Sequence, residues 1–226
     1  MCYKMNVKEE IESFYKSVMT CDNSLENCPC IVKNKACPPR GFYYNEPSDI
    51  LVVGINPGKM IHEVEREKFE NAIPEDIVKI QTEVVKQYFE EKLEKQSGFH
   101  YYLLKAMEIV FNKTFHQYNF TNIVKCQTTI RWSKLDRVAK LKLLENCFNK
   151  HFINELNILK PKLIIVYGKG IFDFLNSNIP IKVINLPRIG QNKGKSSVEQ
   201  WKKKCMKLES YLKNMKKLEK TQRINL

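Results

Sequence analysis

Apolar positions fall at helical spacing over residues 7–19, where Val7, Ile11, Phe14, Tyr15 and Val18 mark one face of a short amphipathic helix. Residues 49–54 (DILVVG) break that rhythm with a β-branched run bounded by turn residues, the pattern of a strand buried on both faces. Residues 119–125 (NFTNIVK), 162–168 (KLIIVYG) and 181–186 (IKVINL) predict three more strands. Helical periodicity lies between them: around Ile77, Ile80, Val84, Val85 and Tyr88, from Gly98 through Leu103, Met107 and Val110, and over a long stretch at 135–159 that Pro161 stops. A short helix follows the third strand, and in residues 198–219 Trp201, Cys205, Leu208, Leu212 and Met215 share one helical face among lysines. Strands separated by helices long enough to cross over predict an α/β fold, a three-layer α/β/α sandwich around a central four-stranded parallel sheet. Ligands of such sheets sit at the carboxyl ends of the strands. That rule singles out Asn56, Asn122 with Lys125 and Cys126, Gly168, and residues 186–190.

Composition narrows the class. At 226 residues, 43% apolar and 11% aromatic, the chain can bury one sizeable core, which excludes a disordered tail or a disulfide-stapled miniprotein. Its net charge of +13 favours a polyanionic partner such as nucleic acid. The charge is uneven, because residues 63–94 carry ten carboxylates against five basic groups. No apolar run approaches the roughly 20 residues that span a bilayer, so no transmembrane helix or membrane partner is expected. The first residues, MCYKMNVKEEIESF, set two glutamates where a signal peptide needs its apolar stretch, so a cytoplasmic protein is expected. Eight cysteines in such a chain point to metal ligands, redox groups or packed thiols rather than disulfides.

Two constellations could carry chemistry. The turn Gly54-Ile-Asn-Pro-Gly58 ends the first strand, with backbone amides able to approach a ligand and Asn56 projecting from the strand end. An ordinary strand-to-helix turn would read the same way, and no GxxxxGK[ST] or GxGxxG motif is present. Cys126 ends the second strand and Cys147 lies on the following helix, while Cys21, Cys28, Cys30 and Cys37 crowd a loop without clear periodicity. Two close and two distant sulfurs could complete a four-cysteine site for an iron–sulfur cluster or for zinc.

In this order the pieces resemble the uracil-DNA glycosylase superfamily over most of the chain. ILVVGINPG is similar to the first catalytic motif in its asparagine form, as in the mismatch-specific and thymine-DNA glycosylase branch. TNIVKC, LLENC and LKPKLIIVYGKGIFDFL resemble the branch that carries a [4Fe–4S] cluster, and SGFHYYLLKAM stands where the family places an aromatic residue that stacks on the flipped base. The resemblance implies that Asn56 holds the attacking water near C1′ of the deoxyribose, with Gly54 and Ile55 contributing to substrate binding. Phe99, or else Tyr101, would stack on the base, and Asn122 would read its Watson–Crick edge with one donor and one acceptor. Cluster ligands would be Cys126 and Cys147 with two of the four loop cysteines, Cys28 and Cys37 being taken here, and zinc as the alternative occupant.

The second motif departs from the family. Where the family has a histidine-bearing loop after the last strand, this chain reads NLPRIGQNK from Asn185, without histidine. Pro187 fits the loop, Leu186 or Ile189 would wedge into the minor groove, Arg188 would touch a phosphate or the leaving base, and Lys193 would meet DNA. His100 and His62 are candidate substitutes for the missing ring. The expectation is a monofunctional DNA glycosylase of base excision repair that flips out a deaminated or mismatched base, uracil foremost and hypoxanthine as an alternative, and hydrolyses its N-glycosidic bond. The alternatives are a non-catalytic nucleic-acid-binding iron–sulfur protein with a glycosylase-like fold and a cytosolic iron–sulfur protein acting on a small nucleoside or nucleotide. A single domain over 1–226 is expected, probing DNA as a monomer, with an acidic helical insertion at about 59–97 that could seat a repair partner and a lysine-rich helix at about 198–219.

Overall fold

The computed structural model describes residues 6–21, 28–29, 31, 41–44, 48–57, 67–69, 72–73, 76–96 and 98–186. Helix α1 (Val7–Met19) opens on a capping box, in which the Asn6 side chain and Glu9 satisfy each other's backbone N–H groups. It buries Ile11, Phe14, Tyr15 and Val18, the face its periodicity predicts. Strand β1 (Ile50–Gly54) leads to helices α2 (Ile77–Lys95) and α3 (Gly98–Phe111), then to strand β2 (Asn119–Asn122). Helix α4 (Arg137–Cys147) runs through a π-helical turn (Phe148–Phe152) into α5 (Ile153–Leu159). Lys160 then takes a left-handed φ of 46° ahead of Pro161, which fixes the end of α5. Strand β3 (Leu163–Tyr167), helix α6 (Lys169–Asn178) and strand β4 (Lys182–Leu186) complete the described fold.

The four strands pair in parallel in the order β2-β1-β3-β4, and Tyr43 forms an isolated antiparallel bridge to Phe120 of β2. The chain leaves β1 toward one side and returns to the other, so the topological switch lies between β1 and β3, where α/β sheets open a crevice. Alternation along the strands feeds two cores. Leu51, Val53, Ile164 and Val166 pack with Phe14, Tyr15, Leu143, Phe152, Leu156 and Leu175. Ile50, Val52, Phe120 and Ile165 pack with Val85, Phe89, Leu103 and Met107 on the opposite face. The three layers are those the sequence predicts.

Two boundaries differ from the sequence reading. Strand β2 stops at Asn122 rather than at 125: Ile123 and Val124 are both fully buried in the same core, which no alternating strand allows, while their N–H groups bond the Gly54 and Ile55 carbonyls. The helix expected over 135–159 contains the π turn, whose extra residue per turn resets the facing of α5 relative to α4. Within the segment expected as an acidic insertion, α2 buries Ile77, Val78, Gln81, Val85 and Phe89, so that one side of it belongs to the core layers. The tail helix expected at about 198–219 lies outside the described residues.

Candidate active site

The carboxyl ends of β1, β2 and β3 bring Gly54, Asn122 and Tyr167 onto one face of the sheet. Gly54 and Asn122 are register partners, and the Asn122 side chain lies directly over the glycine. A Cβ built on Gly54 would stand 2.3 Å from Asn122 Oδ1 and 2.8 Å from Tyr167 Oη, distances that no carbon atom can occupy. Asn122 is closed in from the other side by Gly41, whose φ of +86° suits glycine and whose carbonyl accepts Asn122 Nδ2–H at 2.6 Å. The amide is thus clamped between two glycines and is 4% exposed, with one N–H committed to the protein.

Asn56 stands just beyond β1, half-buried, in the turn its sequence predicts. Its Nδ2 donates to the Pro57 carbonyl at 3.1 Å and to Thr128 Oγ1 at 3.3 Å. A carbonyl can only accept, so the atom facing Pro57 must be the amide nitrogen, and Oδ1 is left as an acceptor. Thr128, 4% exposed, donates its own proton to the Ile130 carbonyl at 2.6 Å and forms an isolated antiparallel bridge with Ile31.

The sulfurs gather on the other side of the sheet. The Cys147 thiol is held well above its ordinary pKa, first by its hydrogen bond with Cys28, then by burial, with the nearby Cys126 adding to the effect. The Lys125 backbone N–H bonded to Cys147 opposes that rise. Asn146 Nδ2 donates to Cys28 Sγ at 2.8 Å. Three of the four expected ligands are therefore neighbours, and soft sulfur donors suit iron or zinc in kind. Among the described residues no group of three His, Cys, Asp or Glu side chains assembles at metal-binding spacing, and Cys37 lies outside them.

The profile of the uracil DNA glycosylase superfamily matches residues 42–220, most of the chain. The chain belongs to the uracil DNA glycosylase superfamily. Comparison with curated proteins gives no match. Members of the superfamily are in general DNA glycosylases, so membership supports a glycosylase-like hydrolase function with DNA as the substrate. Among the described residues no helix is long and apolar enough to cross a membrane.

Against the uracil DNA glycosylase pattern, the structure brings Gly54, Ile55, Asn56 and Asn122 to one end of the sheet and separates Lys125 from them. Lys125 is 1% exposed and ion-paired with the wholly buried Glu155, so it offers nothing to a ligand at the strand ends. The pair sits in a polar network. Glu155 Oε1 accepts from Thr121 at 2.8 Å, from Tyr15 at 3.3 Å and from Tyr44, while Lys125 donates to Thr121 at 2.9 Å. Burial, with Glu155 beside them, raises the pKa of both tyrosines, and burial lowers that of Lys125.

His100 does not stand free to replace the missing histidine. Tyr88 Oη bonds its Nδ1 at 3.1 Å, Phe89 and Phe120 flank it, and burial with Lys92 lowers its pKa to about 4. Tyr101 lines a hollow with Leu104, Lys105, Thr114, Phe115 and His116, residues of α3 and of the approach to β2. Phe99 falls in the first turn of α3, but its side chain lies outside the described set, as do Arg188, Pro187, Lys193, Ile189 and His62; Leu186 ends β4.

Three residues of the site were not legible as such in the sequence. Thr128 lies in a stretch whose only signal is polarity, and Tyr167 reads as the last residue of a buried strand. Gly41 had a local signal, the turn-forming Pro-Pro-Arg-Gly at 38–41.

Proposed function

We propose that the protein is a monofunctional DNA glycosylase that flips a deaminated or mismatched base, uracil foremost and hypoxanthine as the alternative, and hydrolyses its N-glycosidic bond. One observation carries the reading: both protons of the Asn56 amide face protein acceptors, which turns its oxygen into the acceptor left at the open end of the sheet. An amide cannot take a proton at neutral pH, so Asn56 holds the attacking water and does not activate it as a base. The base must then depart ahead of attack, leaving an oxocarbenium-like sugar that the held water captures. Asn122 reads the flipped base through its remaining N–H and its oxygen, a donor and acceptor pair that suits the O4 and N3–H of uracil and mismatches the amino group of cytosine. Gly54 and Ile55 floor this pocket, and Phe99 stacks on the base.

In the same reading Leu186, Pro187, Arg188 and Lys193 form the loop that enters DNA and supports the leaving base without a histidine. Cys28, Cys37, Cys126 and Cys147 would hold a [4Fe–4S] cluster, or else zinc, which would cross-link the amino-terminal loop to α4; hydrolysis of a glycosidic bond requires no electron transfer from it. The single domain acts as a monomer, and the exposed face of the acidic insertion is the surface for a repair partner.

The test is a panel of duplexes carrying uracil, hypoxanthine or a mismatched base, incubated with the pure protein and then treated with hot alkali. Cleavage appearing only after alkali is expected on at least one lesion, and Asn56→Ala should abolish it while DNA binding persists. No cleavage on any duplex would instead favour a nucleic-acid-binding role, and an Asn56→Ala enzyme as fast as wild type would remove the water-holding role.

A further inference from the structure

We infer that Thr128 is a positioning residue for Asn56: its hydroxyl fixes which way the Asn56 amide faces, and so presents Oδ1 to the attacking water. The inference rests on the glycosylase reading for its effect on rate, while the orientation of the amide stands on its own geometry. A threonine hydroxyl has one proton, and here that proton goes to the Ile130 carbonyl at 2.6 Å. Toward Asn56 the hydroxyl therefore presents only a lone pair, and it accepts Asn56 Nδ2–H at 3.3 Å. The second proton of Nδ2 meets the Pro57 carbonyl at 3.1 Å. Rotating the amide by half a turn would press Oδ1 against two acceptors at once and leave its nitrogen pointing outward.

Pro57 alone cannot hold this arrangement. It is the next residue in the chain, so its carbonyl moves with the turn that carries Asn56. Thr128 comes from a different loop, beyond β2, and is only 4% exposed, which keeps water from standing in for its hydroxyl. Its backbone is held independently by the bridge to Ile31, three residues beyond the buried Cys28. The hydroxyl thus brings a second and external point of reference to the amide. Small errors in the placement of a reacting group cost rate out of proportion to stability.

Thr128→Val keeps the shape and the backbone bridge but removes both the acceptor and the donor, whereas Thr128→Ser keeps them. With a lesion duplex in single-turnover conditions, Thr128→Val should lower the cleavage rate by on the order of 10²-fold. The concentration giving half-maximal rate should stay within about twofold of wild type, and Thr128→Ser should recover most of the rate. A valine variant with the wild-type rate, or a serine variant as slow as valine, would each overturn the inference.

A second measurement needs no activity. The Asn56 side-chain amide protons, assigned in a ¹⁵N–¹H spectrum by their loss in Asn56→Ala, should exchange slowly in wild type and Thr128→Ser and faster in Thr128→Val. Equal exchange in wild type and Thr128→Val overturns the inference whatever the activity. If the exchange pattern holds while wild type cleaves no duplex, the orienting contact stands and the glycosylase reading is the part that fails.

Discussion

At position 54 the need for glycine comes from what stands above it. The strand geometry there is open to any residue, but Asn122 Oδ1 and Tyr167 Oη fill the space where a side chain would begin. Asn122 cannot withdraw easily: its nitrogen is bonded to the Gly41 carbonyl, and a side chain at Gly41 would collide with that same nitrogen at 2.2 Å. Gly54→Ala should therefore displace the Asn122 amide, lowering stability by about 1–3 kcal/mol through overpacking. Cleavage of a lesion duplex should fall on the order of 10²-fold. Denaturant melts beside single-turnover rates check this, and an alanine enzyme with undiminished rate would show that Asn122 need not lie where it does. The sequence already marks Gly54 and Asn56 as a turn at a strand end, because glycine, proline and asparagine signal turns locally. It does not mark Gly41 as the other jaw, because that role depends on a contact across 81 residues.

Among the elements, α5 is turned by the π segment so that Glu155 faces β2 and meets Lys125, Thr121 and the two tyrosines. A buried ion pair carries a large desolvation cost for each charge, so the two partners need not be equally important. The carboxylate keeps three hydroxyl donors if the lysine is lost: Tyr15, Tyr44 and Thr121. Among the described residues the ammonium would keep only Thr121 and the ring faces of Phe14, Tyr15 and Phe152. Glu155→Leu should accordingly cost more stability than Lys125→Met, with losses on the order of 3–5 kcal/mol for the worse case. The double variant should recover part of that loss. Urea melts of the three proteins test the order, and equal losses would show that the hydroxyls do not solvate the carboxylate. The helical period over 135–159 is plain in the sequence, but Glu155 reads there as one more polar position. Nothing local distinguishes a π turn from a continued helix, so the facing of α5 emerges only when its side chains find partners.

For the molecule as a whole, the +13 charge is an average over unlike surfaces: setting aside a segment of net −5 leaves +18 on the rest. Arg131 and Lys134 are exposed on the loop that follows β2, near the carboxyl ends of the strands where Asn56 lies. Helix α2 instead displays alternating acids and lysines, with Lys86 beside Glu90 and Lys95 bonded to Glu91. Affinity for duplex DNA should therefore fall steeply with salt, and Arg131→Glu or Lys134→Glu should weaken binding and reduce the salt slope by about one each. Lys86→Glu should leave both nearly unchanged. Fluorescence anisotropy across a salt series reads the slopes, and equal effects at all three sites would contradict a DNA face at the strand ends.

The sequence by itself determined the order of strands and helices, the layering, the turn that carries Asn56, and the cysteines available to meet, because hydrophobic period and turn chemistry are written over a few neighbouring residues. The tertiary structure decided that Asn122 lies between Gly41 and Gly54, that Thr128 faces Asn56, that the free thiols of Cys28 and Cys147 meet in a hydrogen bond, and that Lys125 turns inward to Glu155. Each of these joins side chains far apart in the chain, and such pairings follow from strand register, helix facing and burial acting together.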